Sequence, residues 1–175
     1  MRSCVDNALR RLQREPGSVE ENAAVQIRIY TPDDRTACLN IFRSNVPTYF
    51  AASDEMEFAP FIDDVRERFW VIDVDGQVRA CGGLAVCYPE PEIATLCWGM
   101  VAQNLQRQGI GKALLEFRMR EIATQWPSIR RVRITTTQVV QVFYERQGFA
   151  AVYVEPGGYG PGLDRVVMCQ DVWRY

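Results

Sequence analysis

The segment with the clearest chemical potential is a glycine-rich turn that precedes a helical pattern. Gly109 and Gly111 lie two residues apart, and an apolar stripe at helical spacing follows them up to about Trp126. The first amides of a helix have no acceptors within the helix, and glycine lets an anion approach closely because it lacks a Cβ. The segment therefore predicts an anion-binding site at the start of a long helix.

Two common phosphate-binding motifs do not fit this turn. A P-loop requires glycine where Gln106 stands and serine or threonine where Ala113 stands. A dinucleotide-binding motif requires glycine or alanine where Leu114 stands. The pattern that remains is Arg/Gln-x-x-Gly-x-Gly/Ala, between a predicted strand that ends at Val101 and the helix.

The composition removes several kinds of chemistry. The 175 residues contain no histidine, which excludes histidine triads, histidine metal ligands and histidine proton shuttles. The six cysteines form no C-x-x-C pair, so no metal site is predicted, and we interpret Cys81, Cys87 and Cys97 as core residues of a protein in the reducing cytoplasm. A net charge of −2 without a basic stripe argues against nucleic-acid binding, and no apolar run is long enough for a membrane span.

The elements around the turn predict an α/β (α+β) fold, a mixed sheet with helices on its faces. Strands are expected at 25–30, 69–74, 77–88, 93–101, 131–135, 149–154 and 165–169. Helices are expected from Thr31-Pro32 onward and at 53–67, 109–126 and 139–146.

The first 24 residues differ from the rest of the chain. A short helical stripe ends at Pro16-Gly17, and polar residues follow. We interpret residues 1–24 as an N-terminal extension, with a partner-binding helix as the alternative. Residues 25–175 are expected to form a single domain.

A second block supports a resemblance to a known family. Residues 143–149 read FYERQGF, which resembles the helix-to-strand segment of the GCN5-related N-acetyltransferases (GNAT). Gln106, Gly109 and Gly111 match the pyrophosphate-loop motif of the same family. With the strand order between them, the two blocks cover about residues 25–172, and the chain is identified as a GNAT-like protein of the uncharacterised bacterial type.

The resemblance implies a mixed, mostly antiparallel central sheet flanked by helices, with a β-bulge near residues 98–101. It also implies acetyl-CoA as cosubstrate and no metal. Lys112 would lie near the adenosine end, or it is a solvated lysine at a helix start. The implied cofactor-binding residues form three groups: Met100, Val101 and Ala102 along the pantetheine; Gln106 as a brace with the amides of Arg107, Gln108, Gly109, Ile110, Gly111 and Lys112 at the pyrophosphate; and Gln138 beside the pantetheine arm, where many members carry asparagine.

The implied reaction is transfer of an acetyl group from acetyl-CoA to a primary amine of a small molecule or amino acid, by direct attack in a ternary complex. The implied catalytic residue is Tyr144, whose phenol is matched in pKa to an alkyl thiolate and would protonate the departing sulfur. The alternative is a tyrosine that only packs. No general base stands out: the remaining candidates are Asp54, Glu55, Glu92 and Asp164, or water.

Two other functions stay open at this point. One is a catalytically silent CoA-binding or regulatory module of the same fold, and the other is an interaction protein that uses its N-terminal helix. The sequence also leaves open whether the chain forms a homodimer. Several aromatic residues fall in segments that usually form the acceptor side, and each is interpreted as core before pocket: Phe50, Phe58, Phe61, Trp70, Tyr88, Trp98 and Tyr159.

Overall fold

The structure is a computed structural model that describes residues 25–64, 68–86 and 89–172. In this part of the chain seven strands are hydrogen-bonded in the order β1-β2-β3-β4-β5-β7-β6. The strands are β1 (Val25–Ile29), β2 (Phe69–Val74), β3 (Gln77–Val86), β4 (Ile93–Val101), β5 (Arg131–Thr137), β6 (Ala150–Glu155) and β7 (Arg165–Asp171). The helices are α1 (Arg35–Ser44), α2 (Glu55–Asp63), α3 (Ile110–Gln125) and α4 (Gln138–Glu145).

The strand pairing confirms the predicted mixed, mostly antiparallel sheet. The pairs β1–β2, β2–β3, β5–β7 and β6–β7 are antiparallel. The pair β4–β5 is parallel, with Ile93 opposite Arg131 and Leu96 opposite Ile134. A parallel pair requires a crossover connection, and α3 lies in the connection between these two strands.

The described chain divides into two compact units. The first contains residues up to 83 and residues 98–118, and the second contains residues 84–97 and those from 119 onward. In the first unit Val71 and Cys81 belong to one apolar cluster, while Ile72 and Ala80 belong to another. Because successive strand residues point to opposite faces, these two clusters cover opposite faces of β2 and β3.

Each face of the first unit is covered by helical residues. Phe42 of α1 and Phe58 of α2 are fully buried in the first cluster, and their rings stack with centroids 5.5 Å apart. Ile110 and Leu114, at the start of α3, are buried in the second cluster. The second cluster therefore holds the beginning of α3 against the sheet, and this is the place where the predicted anion site begins.

The second unit is built on β5 and β7, which pair along their whole length from Arg131–Asp171 to Thr137–Arg165. Alternate residues of both strands are buried, as the period of two requires: Val132 and Ile134 on β5, Val166 and Met168 on β7. The short helix α4 follows β5 directly and ends before Gly148, whose φ of +92° lets the chain turn into β6.

Most predicted elements are confirmed within two residues of their predicted ends. The helix predicted at 53–67 is a 3₁₀ turn at Ala52–Asp54 followed by α2, which ends at Asp63. The strand predicted to reach residue 88 ends at Val86, and residues 87–88 lie outside the described residues. The N-terminal extension lies outside them as well, so its interpretation, like that of a single domain over 25–175, stays a prediction.

The aromatic residues of the expected acceptor side are mainly core, as interpreted from the sequence. Phe58 and Trp70 are buried, whereas Phe50, Phe61 and Trp98 are partly buried and pack on the first cluster. Three cysteines were interpreted as core residues. Cys81 is fully buried, which confirms the interpretation for that residue, whereas Cys97 is partly exposed. Cys87 lies outside the described residues. Tyr159 is 48% exposed.

Candidate functional site

The second half of β4 departs from regular strand geometry at the expected place. Trp98 has a φ of +48°, in the left-handed region that bulky side chains seldom adopt. Its indole packs among Phe42, Phe50 and Phe58, with ring centroids 5.0–6.4 Å away. The aromatic cluster thus holds the Trp98 side chain while the backbone turns, which is the local effect of a bulge.

The three residues predicted to run along the pantetheine differ in how they are held. Met100 is buried in the first cluster, and Val101 packs against the second. The Ala102 amide donates to the Arg79 carbonyl at 2.9 Å. The Val101 carbonyl accepts a hydrogen bond of 3.0 Å from Asn45 Nδ2. The backbone at this end of β4 is therefore fixed from both sides.

The turn from Gln106 to Gly109 forms a cradle of backbone amides. Arg107 has a φ of +62° and Gly109 a φ of +89°, while Gln106, which follows a 3₁₀ turn at Gln103–Leu105, is extended. Alternation of this kind turns neighbouring N–H groups toward one side and makes an anion-binding concavity. The positive φ at position 109 is a conformation that glycine adopts without cost.

The amides of this cradle are available to a ligand. In the described chain none of the amides of residues 107–112 donates a hydrogen bond, and the helical bonds of α3 begin with Ala113 N to Gly109 O at 3.0 Å. The helix dipole adds positive potential at the same place. A set of neutral, converging N–H donors at the start of a 16-residue helix fits a diphosphate group, so the residues present suit the pyrophosphate of CoA.

Gln106 has a side-chain partner that the sequence did not indicate. Its Nε2 donates to Asn45 Oδ1 at 2.7 Å and lies 3.5 Å from the Val101 carbonyl. Asn45 follows the last residue of α1 and is only 3% exposed. Sequence reasoning missed it because an asparagine at a helix end is common, and no local pattern connects it with a turn 61 residues away.

Lys112 lies on the surface of α3. Its Nζ is 3.7 Å from Glu116 Oε1, and the two side chains are 44% and 32% exposed. This i,i+4 pair supports the solvated alternative for Lys112, and such a pair contributes at most about 0.5 kcal/mol.

Tyr144 lies in the second unit, on α4, and is 6% exposed. Its ring makes edge-to-face contacts with Phe143 and Phe149, at centroid distances of 5.0 and 5.6 Å. Its carbonyl also accepts from the Phe149 amide at 3.1 Å, which closes the end of the helix. Tyr144 is therefore held by two aromatic neighbours and by the backbone of its own helix end.

Gln138, also in the second unit, binds the glycine-rich loop between β6 and β7. Its Nε2 donates to the Gly162 carbonyl and its Oε1 accepts from the Asp164 amide, both at 2.8 Å. The side chain predicted to lie beside the pantetheine thus anchors residues 162–164. The residue before it, Thr137, is buried, and its hydroxyl has no hydrogen-bond partner among the described residues. An unsatisfied buried hydroxyl is uncommon, and the sequence did not single it out.

The four carboxylates considered as general bases have mainly structural partners. Asp54 accepts from the Ala51 amide at 2.9 Å, and Asp164 accepts from the Gly157 amide at 2.9 Å. The hydrogen bond from Arg43 lowers the pKa of Glu55, which makes that carboxylate a weaker base. The backbone carbonyl of Glu92 accepts from the Arg130 amide at 2.8 Å.

Residues 25–64, 68–86 and 89–172 contain no group of three or more cysteine or carboxylate side chains that could hold a metal ion. No helix in these ranges is both long enough and apolar enough to cross a membrane.

Comparison with known proteins agrees with this geometry. Residues 65–151 match the family model described as an acetyltransferase (GNAT) domain. No curated protein sequence matches the chain. A GNAT-family protein from Desulfovibrio desulfuricans has a similar structure, with a TM-score of 0.75 and 21% identity over 86% of this chain and 100% of the other.

Two further solved structures show the same fold. The ribosomal-protein-S18-alanine N-acetyltransferase from Escherichia coli has a TM-score of 0.70 and 21% identity, over 87% of this chain and 96% of that one. An aminoglycoside 6′-N-acetyltransferase in complex with coenzyme A has a TM-score of 0.69 and 14% identity, over 86% and 98%. The mixed sheet with its flanking helices is thus the acyl-CoA N-acyltransferase fold. The chain belongs to the GNAT family, and its matched segment is an acetyltransferase domain.

Proposed function

We propose that this protein is an N-acetyltransferase that transfers an acetyl group from acetyl-CoA to a primary amine of a small molecule or an amino acid. The observation that carries the proposal is the cradle at 107–112, whose amides converge at the start of α3 without acceptors in the described chain. Backbone amides at a helix start can bind a diphosphate whatever side chains these residues carry.

In the proposed reaction the amine attacks the thioester carbonyl directly in a ternary complex. Acetyl-CoA supplies the activated acetyl group. The new C–N bond forms, the C–S bond breaks, and the electron pair of that bond leaves with the sulfur. Tyr144 donates its phenolic proton to the departing thiolate, because the two groups have similar pKa values in water. The attacking nitrogen, which is positively charged once the C–N bond has formed, loses one proton to water, since Asp54, Glu55 and Asp164 already have partners. The Tyr144 phenolate regains a proton from water, which restores the phenol for the next turnover.

The binding of the cosubstrate is shared among the predicted residues. The amides of Arg107, Gln108, Gly109, Ile110, Gly111 and Lys112 hold the pyrophosphate, and Gln106 braces the turn. Met100, Val101 and Ala102 provide the backbone along which the pantetheine lies, and Gln138 lies beside the same arm. The assignments in the first unit are supported by the amide cradle and by the fixed backbone at the end of β4. The assignment of Gln138 rests on the family resemblance alone.

The acceptor is proposed to be small. A net charge of −2 without a long acidic run gives no complementary surface for a strongly basic protein tail, and the lack of a basic stripe disfavours nucleic acid. We also propose a reducing, cytoplasmic location, in keeping with the free, buried thiols of Cys38 and Cys81.

The test has two stages. Isothermal titration should first show binding of acetyl-CoA, and absence of binding at millimolar ligand would refute the proposal. Release of CoA is then followed with a thiol reagent across amines, amino acids and polyamines. The panel includes aminoglycosides and peptides with an N-terminal alanine, because similar structures are named for such acceptors. Binding without turnover of any acceptor would assign the silent CoA-binding module, and turnover of basic peptides alone would contradict the small acceptor.

A further inference from the structure

Asn45 is a buried polar residue that connects three parts of the first unit. Its Nδ2 donates to the Ile41 carbonyl of α1 at 2.8 Å and to the Val101 carbonyl at the end of β4 at 3.0 Å. Its Oδ1 accepts from Gln106 Nε2 at 2.7 Å. With 3% exposure, the side chain makes these contacts away from bulk water, where an unmade hydrogen bond is costly.

The contacts of Asn45 leave the amide with little freedom. Both hydrogens of Nδ2 have backbone acceptors, so the orientation of the amide is determined and Oδ1 faces Gln106. Gln106 stands directly before Arg107, the first left-handed residue of the cradle. A defined position of the Gln106 side chain therefore fixes the residue from which the cradle starts.

A second contact joins the end of α1 to the segment before the cradle. The Ser44 hydroxyl accepts from the Gln103 amide at 3.2 Å and donates to the Ile41 carbonyl at 2.7 Å. The end of α1 thus contacts the connection between β4 and α3 at two places, Gln103 and Gln106. All of these groups are neutral, so they support the cradle without placing a negative charge near a bound anion.

We propose that Asn45 is a positioning residue for the CoA pyrophosphate, which acts through Gln106 to hold the amide cradle at 107–112 in its binding conformation. The inference rests on the proposed function, because it assigns Asn45 to the same cosubstrate site. It goes beyond the motif in the turn, since Asn45 belongs to a different part of the sequence and makes its contact only in the folded chain.

A positioning role differs from a purely structural one in a measurable way. If Asn45 acts through Gln106, loss of either side chain removes the same hydrogen bond, and the double variant loses no more affinity than each single variant. If Asn45 only stabilises the end of α1, its effect on binding is independent of Gln106. The coupling between the two residues in acetyl-CoA affinity therefore separates the roles.

The experiment is a double-mutant cycle with Asn45→Ala, Gln106→Met and the double variant, measured by titration with acetyl-CoA. Each single variant should weaken binding about tenfold, or about 1.4 kcal/mol, and the double variant should also lose about tenfold rather than a hundredfold. Asn40→Ala is the matched control, because Asn40 is an exposed asparagine of the same helix. Its affinity should equal that of the unaltered protein.

Gln106→Met keeps the test independent of the folding of the Asn45 variant, because it removes the same donor from a partly buried position. Its urea unfolding should remain a single cooperative transition, so that a loss of affinity can be measured on the folded protein. Unchanged acetyl-CoA affinity in Gln106→Met, or additive losses in the double variant, would overturn the inference. Failure of the unaltered protein to bind acetyl-CoA would instead refute the proposed function.

Discussion

Replacement of Arg28 by methionine tests whether the start of α1, the helix that carries Asn45 at its end, is held by a buried ion cluster. The Arg28 guanidinium donates to both oxygens of Asp34, at 2.7 and 2.8 Å, and to Asp73 at 2.8 Å. The side chains of Asp34 and Asp73 are only 6% and 7% exposed, and that of Arg28 is 30% exposed. Arg28→Met keeps much of the aliphatic contact and leaves two buried carboxylates without their cation.

Removal of one partner from a buried ion pair typically costs 3–5 kcal/mol. Because Arg28 is partly exposed and water can reach the vacated position, we expect the lower end, a loss of about 3 kcal/mol in the free energy of unfolding. Arg35→Met is the matched control. Arg35 pairs with Asp63 at 2.6 Å, but these side chains are 43% and 50% exposed, so the loss of stability should be much smaller than that of Arg28→Met.

The pH dependence gives an independent check. Burial raises the pKa of Asp34, but the hydrogen bonds from Arg28 and Thr31 outweigh it, and the net pKa is below its ordinary value of 3.8. A lowered pKa in the folded state contributes stability above pH 3.8, and this contribution is lost as the pH falls through the folded value. In Arg28→Met the burial and the Thr31 hydrogen bonds remain, but the Arg28 hydrogen bonds that lower the pKa of Asp34 are lost. The difference in the free energy of unfolding between the two proteins should therefore narrow below about pH 4.

Urea unfolding at 25 °C, followed by circular dichroism at pH 7 and at several values down to pH 3, measures these quantities. The ion-cluster argument fails if Arg28→Met costs no more than Arg35→Met at pH 7. It fails equally if the difference between Arg28→Met and the unaltered protein stays constant down to pH 3, since the cost would then not come from ionised carboxylates.

Three further predictions concern the site and the core. Gly111→Glu, which adds a side chain and a negative charge to the cradle, should weaken acetyl-CoA binding by well over tenfold in a titration while the protein stays folded; an unchanged dissociation constant would mean that the cradle is not the phosphate site. Tyr144→Phe should lower kcat by roughly ten- to a thousandfold, with kcat and kcat/KM for the amine falling together and acetyl-CoA binding unchanged; normal turnover would leave Tyr144 as a packing residue. The hydrogen bond with Cys38 and burial raise the pKa of Cys81, so a thiol reagent at pH 8 should modify these two thiols roughly a hundredfold more slowly in the folded than in the urea-unfolded protein; equal rates would contradict their burial.

Local patterns in the sequence predicted most of the fold. The helix α3 and the strands β5 and β7 follow from apolar spacing, because the residues that repeat at the period of each element are the ones that are buried. The end of α2 was predicted too late, since the sequence after Asp63 has no glycine or proline to mark a stop. Pro60 lies inside this helix, contrary to the usual preference of proline for the first turn.

The side-chain partners could not be predicted in the same way. Gln138 was selected because the family resemblance places it beside the pantetheine arm, where many members carry asparagine, but its amide binds the loop at Gly162 and Asp164. Which group it meets depends on how a glycine-rich loop returns to the start of α4, and glycines allow many paths. The family resemblance implied a bulge near residues 98–101, but it did not single out the left-handed backbone at Trp98. Tryptophan by itself favours other conformations, and here its side chain is held by the surrounding aromatic cluster.

A site built from backbone groups is easier to predict from one sequence than a site built from side chains. The cradle at 107–112 uses backbone amides, so its sequence signal reduces to two glycines and the start of a helix, and both are visible in a single sequence. The roles proposed for the phenol of Tyr144 and for the neutral amide of Asn45 depend instead on neighbours that only the folded chain provides. Variants of the cradle should therefore change affinity for acetyl-CoA irrespective of the acceptor, whereas acceptor preference should respond to side chains in segments that no motif marks.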